Sequence, residues 1–157
     1  MKDGRMGILK RYGEDVDLAL STWVKLARAS STFQKKSMEN IRSFGLTQPQ
    51  FAVIEALGHL GPMKIGKLCD KMLVSGGNMT LVLDNLEKNK LIERIHSKED
   101  RRAILVQLTK SGDKLFKDIF VKHAQFINKL MSVLSKEEQN QMSALLKKLG
   151  TGIRDIS

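Results

Sequence analysis

HSKEDRRAILVQLTKSG, residues His96–Gly112, sets two patterns side by side. Ile104, Val106 and Leu108 alternate as a half-buried strand does, one side chain in two turned to a core. Directly before them stand Lys98, Glu99, Asp100, Arg101 and Arg102. A charged run by itself is a solvated loop. Held between two strands and carrying adjacent arginines, it is a probe that can reach into something negatively charged.

Working outward, Leu91 to His96 reads as the strand before the loop and Ala103 to Leu108 as the strand after it. The loop has no Gly and no Asn-Gly pair, so it is longer than a minimal two-residue turn. Upstream, NMTLVLDNLEKNKL places Met79, Val82, Leu83 and Leu86 on one side of a helix, with Asn78, Thr80, Leu81 and Asp84 looking elsewhere. Ser75 or Asn78 can cap its start. KIGKLCDKM, residues 64–72, puts Ile65, Leu68, Cys69 and Met72 on one face of a helix of two turns. In LTQPQFAVIEALGHLGP, Thr47 and Gln50 stand at capping-box spacing, Phe51, Ile54 and Leu57 form the buried stripe, and Gly61-Pro62 stops the helix. Three short helices between 47 and 90, then two strands around a basic loop, make a winged helix-turn-helix.

The physics of that arrangement is direct. A third helix presents its first turns to base edges in a major groove about 12 Å wide, while the loop between strands reaches the adjacent minor groove or backbone. Ser75, Gly76 and Gly77 let the main chain approach phosphate, whose charge a helix N-terminus favours. Asn78 and Thr80 offer amide and hydroxyl groups. Taken alone, SGGN reads first as a turn between helices. Asp100, two residues from Arg102, can steady that guanidinium through a bidentate pair; taken alone, such a hairpin tip contributes about 0 to 1 kcal/mol.

The flanking segments are helical. Val16, Leu20, Trp23, Ala27, Phe33 and Ile41 keep helical spacing from Glu14 to about Ser43, and Lys110 to Leu134 carries two stripes, Leu115, Ile119, Phe126, Leu130 and Phe116, Phe120, Ile127, Met131. Two stripes are too wide for one shallow contact, so this helix is expected to be buried around much of its circumference. Ser135 and Glu138 open a last helix with a second capping-box pattern, and Met142, Leu145, Leu149 and Ile153 follow at helical spacing. These segments hold more apolar surface than three small helices and a hairpin can cover; a second copy of the chain would cover it. Two-fold pairing also sets two recognition helices about 34 Å apart, one turn of DNA.

At this point LVSGGNMTLVLDNLEKNKLIERIHSKEDRRAILVQLTKSG resembles the core of the MarR family of bacterial winged-helix transcription regulators. Asp100-x-Arg102, followed by Leu108-Thr109 and Gly112, matches that family's wing signature, and the likeness extends over the whole chain. The resemblance implies a mainly α fold with a small β-hairpin wing: a single domain over 1–157, with 46–109 the winged helix-turn-helix and 14–45 and 110–157 dimerisation helices. It implies a homodimer on a pseudo-palindromic operator in double-stranded DNA. Residues 75 to 82 become the recognition helix, with Ser75, Gly76, Gly77, Asn78, Met79, Thr80 and Val82 as contacts, and the wing adds Lys98, Asp100, Arg101 and Arg102, the last in the minor groove. Regulation of this type is usually repression released by a small molecule, frequently aromatic or phenolic. Two positions depart from the family pattern. Leu81 stands where many relatives carry a basic residue, and Lys90 where a helix-ending Gly is usual, so Asn89 is the candidate for the left-handed residue that ends the helix.

Composition bounds the alternatives. The chain has 157 residues, 41% hydrophobic and 28% charged, enough for one domain with a real core. A net charge of +10 favours a polyanionic partner, although the excess is spread along the chain without a concentrated basic block. One cysteine, Cys69, excludes an internal disulfide and fits a reducing cytoplasm; its place on an apolar stripe marks it as core packing. No segment has the length of a membrane span. His59, His96 and His123 are dispersed without metal-ligand spacing, no nucleophile is paired with a base, and there is no phosphate-cradling loop, so neither a metal, a cofactor nor an enzyme activity is expected. The other class compatible with these features is an architectural or protein-interaction winged helix that lacks operator specificity.

Overall fold

A computed structural model describes residues 12–72, 76–96 and 104–156. The elements run α1 Glu14–Ser43, α2 Gln48–Leu60, β1 Met63–Lys64, α3 Ile65–Met72, α4 Gly76–Lys88, β2 Ile92–His96, β3 Ile104–Leu108, α5 Lys110–Met131 and α6 Lys136–Gly152, with a 3-10 turn at Ile153–Asp155. The fold is mainly helical with a small antiparallel sheet of order β1-β3-β2. The chain divides into two units, the first ending at Glu39 and the second beginning at Asn40.

The first unit is α1 up to Glu39. Glu14, Asp15 and Asp17 occupy its first turn, where the helix dipole favours negative charge. Along it Val16, Leu18, Leu20, Trp23 and Val24 are exposed, Trp23 by 63%.

The second unit builds its core from what periodicity places inward. Phe51, Val53, Ile54 and Leu57 of α2, Leu68 of α3, Met79, Leu83 and Leu86 of α4, Ile92 and Val106 of the sheet, and Ile119 of α5 are all buried. Each such side chain contributes about 1.5 to 3 kcal/mol relative to exposure. Cys69 is partly buried and packs against this core. The capping boxes form as the spacing predicts: Thr47 Oγ1 accepts from Gln50 N–H while Gln50 Oε1 accepts from Thr47 N–H, and Ser135 and Glu138 repeat the exchange.

Four differences from the sequence reading have physical causes. β1, Met63–Lys64, is a strand where none was expected; it is two residues long and exists through pairing with Val106 and Leu105 of β3. α5 ends at Met131 rather than Leu134, because Ser132 caps it and Gln139 Nε2 donates to the Met131 and Leu134 carbonyls. α5 is also less covered than its stripes imply: Gly112, Ile119 and His123 are buried, while Leu115, Phe116, Phe120, Phe126, Ile127, Leu130 and Met131 are half-buried. Finally, the left-handed residue that ends α4 is Lys90, at φ 58°, and not Asn89. Lys90 N–H donates to Glu87 O (2.8 Å) and Leu91 N–H to Leu86 O (3.0 Å), the two bonds of a Schellman motif, whose count puts the left-handed position one residue beyond Asn89.

The chain beyond that motif is fixed at a single junction. Thr109 N–H donates to Leu91 O (3.0 Å), Thr109 Oγ1 donates to Lys90 O (2.6 Å) and accepts from Gly112 N–H (3.0 Å). Gly112 lies so close to Leu91 that a Cβ on it would overlap the carbonyl oxygen. Gly58, in the middle of α2, is required in a similar way: the Phe116 ring lies where its Cβ would be, 2.5 Å away.

His123 of α5 is nine-tenths buried, its ring edge-on to Phe51 with centroids 4.7 Å apart. Its Nδ1–H donates to Asn40 Oδ1 (2.8 Å). Burial pushes its pKa below the ordinary value, against the opposing charge of Glu55.

Three outcomes follow from this packing. Gly112→Ala should lose about 2 to 3 kcal/mol in urea unfolding, since backbone must move to admit the methyl group. Lys90→Gly should gain about 1 kcal/mol, the relief of a left-handed L-residue less the added freedom of the unfolded chain. Because the folded pKa of His123 is depressed, the unfolded chain binds a proton that the folded one resists. Its contribution to stability is present above the unfolded pKa of about 6.5 and is lost as pH falls toward the folded value. The pH dependence of unfolding below that point should be shallower in His123→Gln than in the parent chain.

Candidate nucleic-acid interface

α4 is amphipathic by construction. Met79, Leu83 and Leu86 are fully buried and Val82 is half-buried, so the helix lies on the core along one line. The opposite surface is exposed at Gly77, Asn78, Thr80, Leu81, Asp84, Asn85 and Lys88. Around Gly77 the space is open, with no atom near the position a Cβ would take, so the first turn of the helix is accessible to a ligand's backbone.

The residues singled out from sequence separate on this geometry. Gly76 begins α4, and Gly77, Asn78 and Thr80 stand on its exposed surface. Met79 is a correction: its side chain is fully buried in the core, so it packs and has no free face for a base. Val82 has part of its surface available. Asn78 lies inside the helix, two residues past its first, and so is not the cap. Ser75, Lys98, Asp100, Arg101 and Arg102 lie outside the described residues.

Sequence reading missed the group that ties the helix to the wing. Arg94, on β2, reaches back to α4, where Nη2 donates to Asp84 Oδ1 (2.6 Å) and Nη1 to Glu87 Oε2; Glu87 Oε1 also accepts the Arg94 main-chain N–H (3.2 Å). Burial would lower the Arg94 pKa, but the hydrogen bond to Asp84 and the charges of Glu87 and Asp84 outweigh it and raise it, so the guanidinium is held charged. A signal was available. Arg94 is two residues from buried Ile92 and so shares its strand face, and Asp84 and Glu87 are three apart on the helix opposite. Glu93 Oε1 accepts from Gln107 Nε2 (2.7 Å) on the other strand face and binds β2 to β3.

A second feature had no sequence signal. Gln48, Pro49, Ala52, Glu55, Ala56, His59 and Leu60 of α2, with Lys71 and Met72 of α3, line an open hollow of about 660 Å3. Its lining is mainly apolar, with Gln48, Glu55, His59 and Lys71 as polar groups. The His59 ring is held edge-on to Phe116 and Phe120, with centroids 5.0 and 4.4 Å away.

Among the described residues no helix is long and apolar enough to cross a membrane. The MarR family model matches residues 46–104, the segment from the start of the helix-turn-helix to the second wing strand. The HTH-type transcriptional regulator MhqR of Bacillus subtilis (strain 168) is 36% identical over 138 residues, 88% of this chain and 95% of that protein. The HTH-type transcriptional repressor MdtR of the same organism is 31% identical over 116 residues, 74% of this chain and 75% of its own length. Among solved structures, the S. aureus MepR-DNA complex superposes with a TM-score of 0.71 at 26% identity, covering 82% of this chain and 96% of MepR. An accessible helix braced against a β-hairpin, in a chain aligned almost end to end with HTH-type regulators, places this protein in the MarR family of transcriptional regulators.

Proposed function

We propose that the chain is a sequence-specific repressor that binds a pseudo-palindromic operator as a homodimer and leaves it when a small aromatic or phenolic molecule binds. The observation that carries this reading is the exposed surface of α4. Its glycine-rich start, Asn78 and Thr80 face outward from a helix held on a core and braced to the wing by Arg94. MepR, whose solved complex holds DNA, supports DNA as the partner of this fold. Gly76, Gly77, Asn78, Thr80 and Val82 are the proposed major-groove set, and Ser75 adds a hydroxyl at the helix start. Lys98 and Arg101 are assigned to phosphates, and Arg102, steadied by Asp100, to the minor groove.

Dimerisation is supported by what the single chain leaves uncovered. Leu145, Leu149 and Ile153 near the C-terminal end are 66%, 47% and 55% exposed, and Trp23 in α1 is 63% exposed. Large apolar side chains repeating along helices mark association surfaces. The hollow beside α2 and α3 has the volume and the mixed lining that a drug-sized aromatic acid fits, with Lys71 and His59 available to its carboxylate or phenol. Release then requires that the ligand bind better to the dimer whose recognition helices are wrongly spaced for DNA.

Gel shift with the DNA upstream of the protein's own coding sequence, at physiological salt, tests the proposal. A preference of at least about 10³ over random duplex is expected, and a library of aromatic acids should contain members that abolish the shift. Arg102→Ala should weaken the complex by about 1 to 3 kcal/mol and leave the dimer folded. Equal binding to all duplexes, collapsing steeply with salt, would instead mark a protein that coats DNA by charge.

A further inference from the structure

α4 carries an apolar side chain where a DNA-facing helix would ordinarily carry a donor. Leu81 is 66% exposed, and it lies two residues from both Met79 and Leu83, each fully buried. At 3.6 residues per turn, two residues are about 200° of rotation, so Leu81 sits at the middle of the outward surface, opposite the core. It is the sixth residue of the helix, within the first two turns, the part of a recognition helix that meets base edges.

The polar neighbours on the following turn are engaged within the protein. Asn85 Nδ2 donates to the Leu81 carbonyl (2.9 Å), and Asp84 is drawn to Arg94. The centre of the outward surface is therefore an isobutyl group with the amide of Asn78 one turn before it. Burying such a group against a G·C pair would desolvate acceptors on guanine, or the amino group of cytosine, without replacing their hydrogen bonds. Among base edges in the major groove the C5-methyl of thymine is the apolar one.

We propose that Leu81 is a specificity-determining residue that packs on the methyl group of a thymine in each half-site and selects T·A over G·C at that position. This rests on α4 being the recognition helix.

Selection of bound duplexes from a random pool, followed by replacement of each thymine in the selected site by deoxyuridine, removes the methyl and nothing else. One thymine per half-site should respond, losing about four-fold in affinity for each methyl-sized group withdrawn from an apolar contact. In Leu81→Ala, folded because the side chain is exposed, the same replacement should change nothing; Leu81→Met, which retains an apolar reach, should keep the response. A selected site at which no thymine responds, or at which Leu81→Ala responds as strongly as the parent chain, overturns the assignment and leaves the operator reading intact. A pool from which no preferred sequence emerges overturns both.

Discussion

The carbonyl of Leu91 is the point on which the winged helix-turn-helix of this protein depends. It accepts the Thr109 N–H at the end of β3, and Gly112 of α5 packs against it without room for a side chain. One residue earlier, Lys90 O accepts the Thr109 hydroxyl, which in turn caps α5 through Gly112 N–H. The end of α4, the base of the hairpin and the start of α5 thus meet within a few ångströms. None of the three can tilt alone. Leu108-Thr109 and Gly112, which in the sequence mark a family, are in physical terms a helix cap, a hairpin closure and a close approach that a methyl group would forbid.

A second constraint acts further along the same helix and is electrostatic. Asp84 and Glu87 would repel phosphate from a helix meant for a groove. Both are bound to Arg94 of β2, so the acids that would oppose DNA instead brace the hairpin strand that the proposed reading assigns to the wing. The pair is partly exposed, with Arg94 24% accessible, so its contribution to stability is modest, about 1 kcal/mol. Its effect is to tie the helix to the hairpin at two acids and one main-chain N–H. The net charge of +10 does not display this, because it counts Arg94, Asp84 and Glu87 as independent ions.

Much of the architecture was legible because it is encoded locally. Thr47 with Gln50 and Ser135 with Glu138 mark helix starts through bonds made within four residues, and the stripe Met79, Leu83, Leu86 identifies the buried side of α4 from spacing alone. What was missed depends on partners distant in sequence. β1 is held by β3, more than forty residues on; the Arg94 bonds cross from strand to helix; the hollow exists only once α2 and α3 are packed. The left-handed residue was placed at Asn89 because Asn tolerates that conformation well, yet the bond from Leu91 to Leu86 sets the count and gives the position to Lys90. Tertiary closure overrode local preference there. Met79 was included among DNA contacts because it lies within the recognition segment, although its own spacing already assigned it to the core.

The distribution of burial separates two kinds of structure in one polypeptide. Between Leu46 and Leu108 the apolar side chains close on one another, with Val53, Ile54, Leu68, Met79, Leu83, Leu86 and Val106 wholly withdrawn from solvent. That segment closes its core with Ile41 and with Ile119 of α5, against which the Phe116 and Phe120 rings also pack, and most of it is where the family model aligns. α6 has no buried residue, yet it has good caps and a regular apolar repeat. A helix with strong local signals and no buried side chain gains little from its own propensity, since helical stability in water comes mainly from burying an amphipathic face. α6 therefore gains stability when its exposed Leu145, Leu146 and Leu149 edge is covered, and in the proposed dimer a second copy would supply the same edge by symmetry. The proposed pairing and the proposed spacing of two recognition helices then have one physical origin, the incompleteness of the terminal helices in the single chain.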